Sequence, residues 1–132
     1  MLIDRVTQDG TPAILEKVLD FTEKRQELLA DDVANADTPN FIQKDMSPAA
    51  FQTALRQRID QVNDSPSAML DLNDLPTDAT DTNGLLFHDG NNRSMEQLMT
   101  EQAKNALLHN VAVELLRQQY ATMEMALRDK IG

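Results

Sequence analysis

The chain has 132 residues, 4% of them aromatic, with no cysteine, no tryptophan and a formal net charge of −10. Without cysteine it has no disulfides and no thiolate metal site. The acidic balance argues against a nucleic-acid binder, which needs clustered Lys and Arg, and against an anionic membrane surface as partner.

The length suits one domain with a modest core. With so few aromatics, that core is expected to come from Leu, Met, Val and Ala, the residues of helix packing, so the fold class expected is all-α. Half of the net charge sits in the middle of the chain: residues 1–62 carry −4, residues 63–93 carry −5 and residues 94–132 carry −1. We therefore divide the chain into an N-terminal helical segment (1–62), an acidic variable linker (63–93) and a C-terminal long helix (94–132).

Residues 1–10 are polar and patternless, a mobile lead-in with no apolar stretch of the kind a cleaved signal carries. Thr11-Pro12 is a cap followed by proline at the first helical position. Ile14, Leu15, Val18, Leu19, Phe21, Leu28, Leu29 and Val33 then fall on one side at about 100° per residue. Glu16, Asp20, Glu23, Lys24, Glu27 and Asp31 fill the other side. The spacing predicts one amphipathic helix over 12–37, roughly 39 Å long. Pro39 stops it, and an extended exit follows from Phe41 to Met46.

Ser47-Pro48 repeats the cap-plus-proline signal, and Phe51, Leu55, Ile59 and Val62 recur at helical spacing. A short helix over 48–62 is expected, with a narrow core stripe. Residues 63–93 hold Asp64, Asp71, Asp74, Asp78 and Asp81 with Pro66 and Pro76, and no base before Arg93. That texture reads as a poorly ordered connection in which Leu70, Leu72, Leu75, Leu85, Leu86 and Phe87 allow local docking.

Ser94 with Gln97 forms a capping box, and neither proline nor glycine interrupts the chain until Gly132. A helix of roughly 57 Å is therefore permitted. Met95, Met99, Gln102, Ala106, His109, Val113, Leu116, Tyr120, Met123 and Leu127 alternate steps of three and four, the rhythm of a coiled-coil seam. From Ala106 to Leu116, apolar residues including Leu107, Leu108, Val111 and Leu115 cover nearly the whole circumference. A helix apolar all round is buried, and the first helix can shield only one side. Neighbouring copies are the natural source of the rest.

The residues with chemical potential have plainer readings. His88, Asp89, Asn91 and Asn92 are a loop before a helix cap rather than a metal site, because histidine ligands come in groups. Asp81-Thr82-Asn83-Gly84 lacks the carboxylates that a calcium loop needs at its first and last positions. Asn92-Arg93-Ser94 is a formal glycosylation sequon and reads as the approach to a helix cap. His109 is a packed or interface histidine, and Met95, Met99, Met123 and Met125 are filler. No nucleophile elbow or phosphate loop frames the serines, and neither catalysis nor a cofactor is expected.

One stretch carries a resemblance. Asp32, Val33, Ala34, Asn35, Ala36, Asp37, Thr38 and Pro39, with Phe41, resemble the Asn-Ile-Ala-Asn-Ala-Asn/Asp-Thr-Pro-Gly-Tyr signature of bacterial flagellar axial proteins. Asp89-Gly90-Asn91-Asn92, Glu96, Met99, Lys104 to Leu107 and Asn110 are similar to the C-terminal segment of the proximal rod members, and Gln43-Lys44-Asp45 suits the same group. Here Asp32 stands for Asn, Asn40 for Gly, Phe41 for Tyr, His109 for an aromatic and Arg93-Ser94 for Val-Asp. Asn accepts the left-handed conformation that Gly would supply, so Asn40 preserves the turn.

The resemblance implies a structural subunit exported unfolded without signal cleavage, polymerising in the periplasmic rod of the basal body. Its implied partners are itself, other rod and basal-body proteins and the flagellar export apparatus, with no membrane insertion. The terminal helices would form an antiparallel, coiled-coil-like hairpin or bundle, with Leu15, Val18, Leu29, Val33, Leu108, Val113, Leu116, Tyr120, Met123 and Leu127 as packing and assembly residues. The competing reading is a cytoplasmic acidic helical adaptor or type III secretion chaperone.

Overall fold

A computed structural model describes residues 11–65, 69–77, 80–81 and 94–131. Three helices dominate: α1 (Thr11–Ala34), α2 (Pro48–Asp64) and α3 (Met95–Ile131), of 24, 17 and 37 residues. Two short strands, β1 (Lys44–Asp45) and β2 (Thr80–Asp81), pair antiparallel, Lys44 opposite Asp81 and Asp45 opposite Thr80. The chain is mainly α-helical, as composition led us to expect.

The helix starts follow local chemistry. Ser47 Oγ accepts from Ala50 N at 3.1 Å with Pro48 in the first turn of α2. Ser94 and Gln97 close the expected capping box, Gln97 Oε1 accepting from Ser94 N at 3.0 Å and Ser94 Oγ from Gln97 N at 3.3 Å. At its other end α1 stops three residues short of the expected 37. Ala36 N reaches back only to Val33 O, and the Asn35 side chain donates to Asp31 O at 2.9 Å, so these two carbonyls are satisfied without another turn.

While Leu29, Leu98 and Ala112 are buried along α1 and α3, the clustered apolar core lies between α1, α2 and the connection. Phe21, Met46, Phe51 and Leu75 form it, with Val18, Leu28, Ala54, Leu55 and Leu72 packed alongside. The Phe21 and Phe51 rings stack at 4.3 Å between centroids, which corrects the expectation of a core without aromatics. Two rings bury enough area to anchor a small core, however rare aromatics are overall.

Part of the acidic linker is held by this core. Leu75 is buried, Arg58 donates to Asn73 O at 3.3 Å, and Asp74 adopts a left-handed φ of 58°. Asn73 N donates to Asp71 Oδ1 at 3.0 Å. That bond, helped by the Arg58 charge, holds the Asp71 carboxyl below the usual range against an opposing burial effect that outranks the Arg58 charge. The expected mobile lead-in, Leu85 to Phe87, the expected loop at His88 to Asn92, residues 82–84 of the calcium-like segment and the glycosylation sequon up to Arg93 lie outside the described residues.

Helices α1 and α3 pack as an antiparallel pair: Glu16 meets Tyr120, Thr22 meets His109, and Arg25 meets Glu101. The face of α3 turned to α1 carries Leu98, Gln102, Asn105, His109, Ala112, Leu116, Gln119, Met123 and Ala126, all buried or half-buried. Gln102, His109, Leu116 and Met123 are seam positions expected from spacing. The alternating positions lie on the opposite flank from that expectation: Met99, Tyr120 and Leu127 are 57%, 46% and 59% exposed, while Leu98 and Asn105 are buried.

Candidate assembly interface

The signature residues occupy the end of the hairpin where α1 stops and α3 begins. Val33, Asn35, Ala36 and Phe41 are half-buried, and Ala34, Asp37, Thr38 and Pro39 are exposed. They build successive turns: Thr38 N donates to Asn35 O at 3.0 Å and Phe41 N to Thr38 O at 3.3 Å. The Asn35 amide also donates to Asp31 Oδ1 at 3.1 Å, and Thr38 Oγ1 donates to Asn35 Oδ1 at 3.3 Å. Asn40 takes φ 62°, the left-handed turn for which Asn substitutes for Gly.

Asp32 turns inward. It is buried, and its Oδ1 accepts from Lys44 N at 3.1 Å, drawing the extended exit back against α1. One residue on, Asp45 is fully buried and receives a two-pronged bond from Arg25, Nε to Oδ1 at 2.9 Å and Nη2 to Oδ2 at 3.0 Å. Met46 N also donates to Asp45 Oδ1, at 2.7 Å. The same Arg25 Nη2 reaches Glu101 Oε2 on α3 at 2.9 Å. Burial alone would lower the Arg25 pKa, but the bonds and charges of Asp45 and Glu101 outweigh it and the net shift is upward.

Arg25 thus joins three segments through one planar fork. Sequence reading missed it. Arg25 sits beside Lys24 in an otherwise charged stretch, and only its position on the α3 side of the wheel distinguished it from a solvated base.

Next along the hairpin is a polar layer. Thr22 Oγ1 donates to Leu19 O at 3.0 Å and lies 2.8 Å from His109 Nδ1. Asn105 Nδ2 donates to Thr22 O at 2.8 Å and to Gln26 Oε1 at 2.9 Å, while its Oδ1 is buried without a donor.

The remaining packing residues divide by face. Leu29 is fully buried, and Leu15, Val18, Val113, Leu116 and Met123 are half-buried. Leu19, Val113, Leu116 and Tyr120 border a groove of about 430 Å³ toward the far end of the hairpin. Leu107, Leu108, Val111 and Leu115 face away from α1 and are 65%, 38%, 47% and 45% exposed. The all-round apolar stretch is therefore covered on one side only by the single chain. No described helix is long and apolar enough to cross a membrane, and among the described residues no group of three or more His, Asp or Glu is placed to hold a metal ion.

The geometry defines a helical hairpin with a polar interior layer and an unpartnered apolar back. No family model, curated protein or solved structure matches the chain.

Proposed function

We propose that the chain is a structural subunit of the proximal rod of the bacterial flagellar basal body, of the FlgB type. In this reading it leaves the cell unfolded through the flagellar export apparatus and polymerises in the periplasm through its terminal helices. The observation that carries the reading is the exposed back of α3 at Leu107, Leu108, Val111 and Leu115. An apolar strip of this kind on a small acidic chain is stabilised when neighbouring subunits cover it. The signature at the α1 end supports it, since Asn35, Thr38 and Asn40 lie in a hydrogen-bonded turn suited to a subunit joint.

The deciding experiment is genetic and microscopic. In a strain lacking the gene, rods should be absent and swimming lost, and the wild-type chain should restore both. A deletion strain that swims normally rejects the assignment.

A second reading, the acidic adaptor or secretion chaperone, draws on a different observation: the Phe21–Phe51 core and the Arg25–Asp45 pair close within one copy. A chaperone would purify as a stable dimer with a sharp cooperative melt. Size-exclusion chromatography with far-UV circular dichroism separates the two.

A further inference from the structure

Three sets of polar contacts cross the middle of the α1–α3 pair. Arg25 Nη2 donates to Glu101 Oε2 at 2.9 Å, Asn105 Nδ2 donates to Thr22 O at 2.8 Å and to Gln26 Oε1 at 2.9 Å, and Thr22 Oγ1 meets His109 Nδ1 at 2.8 Å. Thr22, Arg25 and Asn105 are all buried. Apolar side chains of similar size would serve stability as well, so the polar set is better explained by the alignments it forbids.

The alignment nearest to the observed one is a slide of α3 by one heptad. Seven residues make about two turns, so the slide moves α3 by about 10 Å and keeps the same face inward. Helix α3 has 37 residues to the 24 of α1, and residues 121–131 continue past the contact of Tyr120 with Glu16, so α1 would stay covered along its length. Leu108, Ala112, Leu116 and Leu127 would take the places of Glu101, Asn105, His109 and Tyr120. At those four places the slid alignment is the more apolar one, so hydrophobic burial there does not hold α3 where it is. What the slide loses is polar. Arg25 would face Leu108 instead of Glu101, Gln26 Oε1 would exchange its Asn105 donor for Ala112, and Asn105 would enter the fully buried place of Leu98. Gln119 would also have to fit where Ala112 is buried.

We propose that Glu101 and Asn105 fix the alignment of α3 on α1, through Arg25, Gln26 and Thr22, and exclude the one-heptad slide. A buried asparagine sets the register of coiled coils in the same way. Arg25 and Asp45 stay together in either alignment, because the bond from Lys44 N to Asp32 ties β1 to α1, so the discrimination comes from Glu101.

The test reads the slide as a distance. The chain has no cysteine, so Ala30→Cys and Thr122→Cys, at exposed positions, can carry spin labels on α1 and α3 of the full chain. Dilution into unlabelled chain leaves only distances within one molecule, and a single distance is expected. Combining Glu101→Ala, Asn105→Leu and Gln119→Ala removes the lock, and a second distance about 10 Å shorter should appear. Adding Leu108→Glu and Ala112→Asn rebuilds the polar set one heptad along, and the shorter distance should then replace the longer. Far-UV circular dichroism follows the helix content of each variant. The original distance alone in a helical unlocked variant would overturn the proposal, as would the original distance or a loss of helix in the rebuilt one. If the unlocked variant melts, the rebuilt variant decides by itself. None of these distances requires a rod to form, so the alignment and the rod assignment fail separately.

Discussion

The phenol of Tyr120 donates a 2.8 Å hydrogen bond to Glu16 Oε1, joining residues 104 apart in sequence and pinning the far end of α3 to the first turns of α1. The bond raises the Tyr120 pKa, because ionising the phenol loses the hydrogen bond and sets two anions together. A raised phenol contributes stability that is complete below its unfolded value, near 10, and is lost as pH rises through the folded value. Since Tyr120 is the sole tyrosine and there is no tryptophan, tyrosinate absorbance reports this contact alone. The midpoint should lie higher in buffer than in concentrated urea, and Glu16→Gln should lower it. Equal midpoints folded and unfolded would mean that this end of the hairpin is undocked.

Arg25 is the most sensitive single side chain in the hairpin. Replacing it with Met removes the guanidinium that balances the buried Asp45 carboxylate, which costs about 3–5 kcal/mol. Urea denaturation should show most of the chain's stability gone. Replacing both Arg25 and Asp45 with apolar residues of similar volume should recover much of the loss, which identifies the penalty as an unbalanced charge rather than a missing contact.

Asn40 is held at φ 62° in the turn that ends the signature. Asn40→Gly should be close to silent, while Asn40→Val should cost about 1–2 kcal/mol, because a branched Cβ crowds the carbonyl in that conformation. Thermal melts of the two variants should therefore differ. Equal melts would show that the turn relaxes out of the left-handed region.

Fold and assembly should separate at α3. Val111→Lys and Leu115→Lys alter exposed positions and should move stability by no more than roughly 0.5 kcal/mol, yet abolish rod formation in a complementation assay. Leu116→Asp or Val33→Asp, at half-buried positions, should damage both, since a charge there must be desolvated even in one copy. If the outer variants assemble normally, the back of α3 is not the contact surface.

Local chemistry by itself determined where the helices begin and how the first one ends. Ser47, Ser94 and Gln97 cap with their own neighbours, Pro48 sits where a missing amide proton costs nothing, and Asn40 accepts a positive φ. The apolar half of α1 and the heptad rhythm through Gln102, His109, Leu116 and Met123 were also legible, because periodicity follows helix geometry alone.

Tertiary structure decided which flank of that rhythm turned inward. Hydrophobicity favoured Met99, Val113, Tyr120 and Leu127, yet Asn105, Ala112 and Gln119 take the inner flank. Ala112 permits close approach there, and Asn105 finds Thr22 O and Gln26 across the interface. The same holds for Arg25, Asp45 and Glu101, three charges from separate segments that become tolerable inside only once they meet. A buried polar group is stabilised by the partner that folding brings to it, and neither periodicity nor composition records who that partner will be.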